Sequence, residues 1–480
     1  MKIGAARGQP ISNTFKIDES DEQEIAMFPD CSHLVKNMRN GLQKYDFILP
    51  KWFVEKHKLP SRFISIKHVL ALKDFQDKHG WKISPKLNAK CFPTGNFDKM
   101  KVGPAVNLMS RDTAAGIRFL VKEYGYTIEA LTTAFFLEWV GRWFDFVSSR
   151  NSKLAFSRLR EDKYQETLDF LNDFCEMIDS LTFMDKNGDV QKPIQLGIKL
   201  HTKSLLHLQD FYINVKKNDY LLPGRLGSDC IENYFSQIRA KNPSPTPMEF
   251  LRAFKALLIM HHMKPNKYGS YMEDVDSNWL TELKDLKDCQ LEHLDEDEDE
   301  DVYDIIVGEK VREDFSQESA LVYVAGYVLK KTVLSKSKCV QCQEFYTQDT
   351  PTLEVHKLVC EKEYKEGLLV LPTEKAWKIF SMTDATFNLN ELALKGEKII
   401  PEDIVKKLAL KFKELFPELP SCHLHLVLRR FLHVKSHFWA RQLDLQEKGK
   451  QDLQKKAAAA SKTMGGYYQQ GYFDYQSLRK

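Results

Sequence analysis

The sequence has no apolar run close to the roughly 20 residues that a helix needs to cross a bilayer. Its opening residues 1–13 contain no apolar core of the kind found in a signal peptide. It has only nine cysteines in 480 residues, which are too few and too scattered for a secreted disulfide scaffold. The formal net charge is only +3, so total charge does not indicate nucleic-acid binding. From these absences we expect an intracellular protein in a reducing compartment.

A Walker-type phosphate loop is also missing, because no GxxxxGK[ST] pattern occurs and the stretch GRLGSD lacks the required lysine. What the sequence has instead is separated charge. Lysines are frequent in residues 36–101, whereas residues 295–301 form an unbroken acidic run. This pattern is compatible with a local polyanion-binding face and a solvated acidic linker.

Apolar spacing predicts helices through most of residues 64–208. Residues 103–125 predict one helix, with Pro104 in the first turn and Gly125 at the end. Residues 130–147 are apolar nearly all round, which predicts a buried central helix.

A carboxylate pair, Asp229 and Glu232, opens the amphipathic stretch 231–238. In one interpretation Asp229 is the N-cap and Glu232 the third helical residue, a pattern like a capping box. In the other, Glu232 joins carboxylates from other segments in binding Mg²⁺. Spacing alone favours the cap, because two neighbours on one helix cannot build a two-metal site.

Asp30 offers a second carboxylate, directly after the strand-like residues 24–28 and before a helix that carries His33. A carboxylate at a strand end can point from a sheet edge into a cleft. The alternative is an N-cap for the following helix, whose basic face would be solvated. The pattern by itself favours the cap here too.

A third constellation pairs the CxxC of Cys339 and Cys342 with the HxxxC of His356 and Cys360. Four soft or borderline ligands in two close pairs are typical of a closed, structural zinc site. The alternative is a chance cluster of reduced cysteines. Three of the nine cysteines lie in this short stretch, which favours the metal.

Four stretches carry a family resemblance by their order and separation: PDCSHLVKNMRN, KMKVGPAVNLMS, WFDFVSSR and GRLGSDCIENYFSQIRAKNPSPTPMEF. The stretch YVAGYVLKK followed by CxxC adds a further similarity. On these motifs the sequence resembles the P-element-type DNA transposases, including their THAP-domain-bearing members. The resemblance covers residues 20–445 and weakens after residue 260.

The resemblance implies an α+β, mostly α fold. A ribonuclease-H-like catalytic fold would be interrupted by a large helical GTP-binding insertion, and a small C-terminal Cys/His module with helices would follow. The implied catalytic domain has an incomplete first half at residues 1–63 and a second part at residues 228–269, with the insertion between them at residues 64–227. An acidic linker follows at residues 270–317, then the zinc-like helical region at residues 318–450 and a low-complexity tail at residues 451–480.

The resemblance also implies roles for single residues. The family's catalytic triad is Asp, Asp, Glu; Asp30 matches the second Asp and Glu232 the Glu, which makes both candidate ligands for Mg²⁺ or Mn²⁺. Ser148 stands where the family usually has Asn, so we expect weakened GTP binding. The guanine-nucleotide contacts match Lys86, Lys101, Val102, Ser110, Asp145, Ser148 and Asp229.

The implied activity is cut-and-paste cleavage and transfer of DNA strands by two-metal phosphoryl transfer, with GTP as cofactor. Implied with it are a nuclear location, transposon-end and target DNA as partners, and homo-oligomers. The family's first catalytic Asp has no convincing match before Asp30, because Asp18 and Asp21 lie in a polar stretch. A catalytically incomplete enzyme is therefore expected. The alternative is a domesticated or truncated relative that binds nucleic acid or protein without catalysis.

Overall fold

The described residues divide into two units. The first holds the described residues up to 263 together with Cys360–Tyr364, and the second holds the remaining described residues from 305 onward. Both are mostly helical, which confirms that part of the predicted fold class. The computed structural model describes residues 12–16, 24–151, 154–185, 191–263, 305–308, 314–337, 339–364, 367–395, 401–440 and 442–443.

The first unit is a helical body with short strands. Its helices are α1 Cys31–Lys44, α2 Lys51–Lys56, α3 Ile66–Gln76, α4 Asn96–Lys99, α5 Val102–Leu108, α6 Arg111–Tyr124, α7 Ala130–Val147, α8 Glu161–Ser180, α9 Pro193–Gln209, α10 Asp229–Lys241 and α11 Pro247–Met263. Its strands are β1 Thr14–Phe15, β2 Ile25–Ala26, β3 Phe47–Ile48, β4 Phe63–Ile64, β5 Phe156–Ser157, β6 Thr182–Phe183 and β7 Tyr220–Leu221.

Every strand pair in this unit is antiparallel. β1 pairs with β2, β5 pairs with β7, and β3 lies between β4 and β6. Among the described residues the widest sheet is therefore three short strands.

None of the described helices combines the length and apolarity that crossing a membrane requires.

The predicted central helix is confirmed as α7, with the predicted bounds. Its Trp143 is fully buried and stacks on Phe174 of α8, with ring centroids 5.5 Å apart. The Trp143 indole N–H donates to Thr202 Oγ1 of α9 over 2.9 Å. A buried indole N–H needs a hydrogen-bond acceptor, so this bond fixes the position of α7 along α9.

The single helix predicted over residues 103–125 is wrong in one respect, because the chain breaks at Ser110 into α5 and α6. Ser110 caps α6: its hydroxyl accepts from Thr113 N at 3.2 Å and donates to Asn107 O at 2.8 Å. Gly125 ends α6 as predicted, in a left-handed conformation with φ of 61°.

The break packs directly on α7 at Gly141. A Cβ on this glycine would lie 2.6 Å from Met109 O and 3.1 Å from Ser110 Cα, both backbone atoms. The two segments can approach this closely only because Gly141 has no side chain.

We therefore expect Gly141→Ala to lower the free energy of unfolding by about 2 kcal/mol, since a methyl group must displace backbone. The matched control is Gly103→Ala in α5, where a Cβ meets nothing within 4 Å. That change should be neutral or stabilise by up to about 1 kcal/mol. Urea denaturation of both variants checks the pair, and equal stabilities would contradict the packing described.

The helices after residue 305 are α12 Phe315–Leu329, α13 Val340–Tyr346, α14 Lys357–Lys362, α15 Glu374–Leu389, α16 Glu391–Lys395, α17 Pro401–Leu415 and α18, residues 424–440. Strands β8 Thr347–Gln348 and β9 Leu371–Pro372 pair antiparallel. Ion pairs hold α18 in the second unit: Lys435 lies 2.7 Å from the buried Asp384 of α15, and Arg429 Nε donates to Glu402 of α17.

The predicted acidic linker, 270–317, lies mostly outside the described residues, as does the predicted tail, 451–480. Residues 305–308, however, are packed on the second unit. Ile305 is buried, and Gly308 N donates to Thr386 Oγ1 of α15 at 3.0 Å. These four residues of the predicted linker therefore belong to the packed part of the second unit.

Candidate functional site

Asp30, His33 and Glu232 meet at one point of the first unit. Their potential ligand atoms all lie within 4.8 Å of one another. Asp30 comes from the turn between β2 and α1, and Glu232 from the start of α10. The His33 side chain is 60% exposed and that of Asp30 14% exposed, so the cluster opens to solvent. The fold thus brings together the two carboxylates that the resemblance singled out.

Asp30 is the N-cap of α1 as well as a member of this cluster. Its Oδ1 accepts from Ser32 N at 3.0 Å and its Oδ2 from His33 N at 3.3 Å, and Oδ2 also contacts His33 Nδ1. An ionised carboxylate offers about four lone-pair sites, so capping leaves capacity for a cation. The two interpretations of Asp30 are therefore compatible.

Helix α9 fixes the turn that precedes Asp30. His201 Nδ1 lies 2.8 Å from Pro29 O, and Ser204 Oγ donates to Met27 O at 2.6 Å. Burial lowers the pKa of His201, against the opposing effects of the Pro29 bond and of Asp30. The ring is neutral near pH 7, and Nδ1 carries its hydrogen because a carbonyl can only accept.

Glu232 lies in the first turn of α10. The N-cap is Ser228, whose side chain makes no capping bond, and Glu232 N donates to Ser228 O at 3.0 Å. Asp229 is thus the first helical residue and Glu232 the fourth, each one position later than the predicted capping-box-like pattern places it. The side chain of Asp229, a predicted nucleotide contact, lies outside the described part.

The segment that leads into α10 is pinned to the end of α7. Gly224 N donates to Ser149 O at 2.9 Å, and Arg150 Nε donates to Gly224 O at 3.3 Å. A Cβ on Gly224 would lie only 2.2 Å from Ser148 O. The position of Glu232 therefore depends on this close backbone contact.

Three of the predicted nucleotide contacts lie along one face of α7. Asp145 and Ser148 follow Gly141 at helical spacings of four and seven residues, and Ser110 packs on Gly141. The Ser148 hydroxyl donates to Phe144 O at 2.6 Å. This face runs from the cap of α6 to the segment that leads into α10.

Three more of the predicted nucleotide contacts lie in and before α5. Lys101, its exposed N-cap, forms an ion pair of 2.8 Å with Asp98, and Val102 begins the helix. Lys86 lies in the loop before α4 and is partly buried. Arg39 of α1 is fully buried, and burial lowers its pKa; it donates to Lys99 O at 2.8 Å. Helix α1, which Asp30 caps, thus also holds the segment before Lys101.

A Cys/His cluster lies in the second unit, but its members differ from the predicted set. Cys339 and Cys342 are joined by Cys422 and His423, with potential ligand atoms all within 4.8 Å. Cys342 Sγ lies 3.4 Å from Cys422 Sγ and 3.3 Å from His423 Nδ1. Cys339 Sγ lies 3.9 Å from Cys422 Sγ.

The structure does not bring His356 and Cys360 to this cluster. His356 is fully buried, with Nδ1 accepting from Leu353 N at 3.3 Å and Nε2 donating to Pro372 O at 3.0 Å. Both ring nitrogens are thus engaged, and burial lowers the pKa of the ring. Cys360 is exposed on α14. In the sequence, Cys422 and His423 are marked only as an adjacent Cys–His pair, far along the chain from Cys342.

Two family models match the chain. Residues 32–158 match the TNP-like, GTP-binding insertion domain, which includes the predicted nucleotide contacts from Lys86 to Ser148. Residues 310–439 match the C-terminal domain of DNA transposase THAP9, which includes all four members of the Cys/His cluster.

The chain is also similar in sequence to two curated transposases. The chain is 30% identical to the Transposable element P transposase of Drosophila melanogaster over 67% of its own length and 42% of that protein. It is 24% identical to human (Homo sapiens) DNA transposase THAP9 over 58% of its own length and 31% of that protein. The chain thus spans less than half the length of these curated relatives.

A solved structure is similar as well. The Drosophila P element transposase strand transfer complex matches with a TM-score of 0.44 and 24% identity, over 53% of this chain and 56% of that one. Together the two family models and the two curated relatives place the sequence in one group. The chain belongs to the P-element-like transposase family.

Proposed function

We propose that this chain carries the catalytic core of a P-element-like DNA transposase, which cleaves and transfers DNA strands with the help of Mg²⁺ or Mn²⁺. One observation carries the proposal: Asp30 and Glu232, far apart in sequence, converge with His33 to within 4.8 Å. The proposal includes a ribonuclease-H-like arrangement of these residues, with Asp30 in the turn that joins the short strand β2 to α1. Because the substrate would be DNA, we infer that the protein acts in the nucleus.

The donor set fits a hard divalent cation. Two carboxylates this close repel each other unless a cation or a proton lies between them. Carboxylate oxygens are the ligands that Mg²⁺ and Mn²⁺ prefer, and imidazole is acceptable to the transition metal. His33 and Glu232 are exposed, so a DNA phosphate could reach the same point.

The chain's own residues would position and recognise the substrate. Two backbone N–H groups hydrogen-bond to the Asp30 carboxylate, and His201 of α9 hydrogen-bonds to Pro29 O next to it. These contacts orient the carboxylate before any ligand binds. Lysines of residues 36–101 would contact DNA phosphates, which gives salt-dependent and largely sequence-independent affinity. A bound divalent ion would supply an activated water or 3′-hydroxyl and would stabilise the leaving oxygen.

We further infer that guanine nucleotide binds along the face of α7 and the start of α5. The match to a GTP-binding insertion domain supports this. Lysine pairs well with phosphate, which suits Lys86 and Lys101, and a carboxylate such as Asp145 can accept from the guanine edge. The Ser148 hydroxyl already donates to Phe144 O, so it offers a nucleotide less than the family's Asn would.

A second candidate function is binding without catalysis. Among the described residues, two carboxylates and one imidazole reach the cluster, whereas the family's triad has three carboxylates. This donor set suits one cation better than the pair used in two-metal phosphoryl transfer. A protein of this kind would retain metal, nucleotide and DNA binding without cutting DNA.

The experiment compares the wild-type chain with Glu232→Gln. We expect the amide to weaken Mn²⁺ binding by more than roughly 100-fold, because it removes a charged ligand. A change to an outer-shell group usually costs less than this. Glu55→Gln is the matched control, since Glu55 is an exposed glutamate on α2. Free Mn²⁺ is measured by electron paramagnetic resonance, and nicking of supercoiled plasmid is measured in parallel.

Mn²⁺-dependent nicking that is lost in Glu232→Gln and kept in Glu55→Gln would support the transposase proposal. Mn²⁺ binding with the same dependence on Glu232, but without nicking, would favour the non-catalytic candidate. Equal Mn²⁺ affinity in all three proteins would refute both the metal site and the role given to Glu232.

A further inference from the structure

We propose that Cys339, Cys342, Cys422 and His423 bind one structural Zn²⁺ ion in the second unit. This goes beyond the proposed DNA chemistry, which involves only the first unit. It also gives a ligand set different from the one that sequence spacing predicted.

The separations of the donor atoms match a tetrahedral site. Zinc bonds of about 2.3 Å to sulfur and about 2.0 Å to nitrogen place tetrahedral sulfurs about 3.8 Å apart and sulfur and nitrogen about 3.5 Å apart. The sulfur atoms of Cys339 and Cys342 lie 3.9 and 3.4 Å from that of Cys422. His423 Nδ1 lies 3.3 Å from Cys342 Sγ and 3.1 Å from Cys422 Sγ.

Zinc explains these separations better than the alternatives. These three described cysteines form no disulfide, since the separations of 3.9 and 3.4 Å between their sulfur atoms lie well beyond the roughly 2.05 Å of a disulfide bond. Thiols are weak donors and weak acceptors, so hydrogen bonding gives little reason for three of them to gather around an imidazole. Three thiolates and one imidazole are an ordinary ligand set for structural zinc.

The cluster's place in the fold suits a structural ion. Cys339 and Cys342 lie at the start of α13, whereas Cys422 and His423 lie in the turn just before α18. A shared ion would therefore fasten the start of α13 to the turn before α18. Binding energy of this kind stabilises the folded state directly.

The test is the zinc content of the purified full chain, measured by inductively coupled plasma mass spectrometry after dialysis against excess Mg²⁺. We expect about one zinc ion per wild-type chain, as one four-ligand site requires. Cys422→Ser should lose nearly all of it, and Cys360→Ser, the matched control from the sequence-predicted set, should keep it. Glu232→Gln should keep it too, which separates this site from the cluster around Asp30.

A spectroscopic measurement on the wild-type chain tests the site even if the Cys422→Ser protein does not fold. Co²⁺ exchanged into the wild-type chain should give intense visible bands and thiolate charge-transfer bands of a tetrahedral thiolate site. A folded wild-type chain without zinc, or one with a Cys342–Cys422 disulfide by mass spectrometry under non-reducing conditions, would overturn the proposal. So would a Cys360→Ser chain that loses as much zinc as Cys422→Ser.

Discussion

Asp30→Asn is expected to abolish most Mn²⁺ binding while leaving the stability of the first unit close to that of the wild type. The amide oxygen can still accept from Ser32 N or His33 N, so the cap of α1 persists. The negative charge is lost, and with it the attraction for a cation. We expect affinity to fall by more than roughly 100-fold, beyond what an outer-shell change costs.

Asp30→Ala separates the two roles of this residue. Alanine removes both cap and ligand, so it should lower the free energy of unfolding by about 1 kcal/mol in addition to abolishing Mn²⁺ binding. Mn²⁺ titration and urea denaturation of both variants decide the matter. An Asp30→Asn chain with unchanged Mn²⁺ affinity would show that Asp30 is a cap and nothing more.

Gly224→Ala is expected to destabilise the first unit by on the order of 3 kcal/mol, at the upper end of overpacking costs. Its Cβ would lie 2.2 Å from Ser148 O and 2.7 Å from Ser149 O, and backbone cannot rotate aside as a side chain can. The substitution should also displace α10, and Glu232 with it. We therefore expect Mn²⁺ binding to weaken in any fraction that stays folded.

Gly227→Ala is the control within the same motif. A Cβ there would meet one atom, Gly224 O, at 3.9 Å, which is an ordinary contact, so stability should change by less than about 0.5 kcal/mol. Urea denaturation followed by fluorescence compares the two variants. Similar unfolding midpoints would mean that the contact between Gly224 and Ser148 does not hold the motif in place.

Local pattern predicted those elements whose cause is local. Helix α7 was predictable because its residues are apolar nearly all round, with only Glu138, Arg142 and Asp145 charged. Gly125 ends α6 because only glycine adopts φ of 61° easily. The break at Ser110 escaped prediction because it combines a serine cap with a close approach to Gly141. That approach is a tertiary contact, which spacing along the chain cannot reveal.

The candidate sites divide in the same way. Cys339 and Cys342 could be proposed from the sequence because both lie in one short motif. Cys422 and His423 come near them only in the folded chain, where the turn before α18 approaches the start of α13. The spacing of His356 and Cys360 suits a zinc ligand pair, yet both ring nitrogens of His356 hydrogen-bond to backbone atoms. For Asp30 the sequence posed cap and ligand as alternatives, whereas the geometry allows both.

Crystals of the chain grown with Mn²⁺ would test the central claim most directly, through anomalous diffraction at the manganese edge. The account predicts one anomalous peak within bonding distance, roughly 2.0–2.5 Å, of carboxylate oxygens from both Asp30 and Glu232, with His33 beside them. A peak bound elsewhere, or Asp30 and Glu232 held apart in the presence of Mn²⁺, would contradict it.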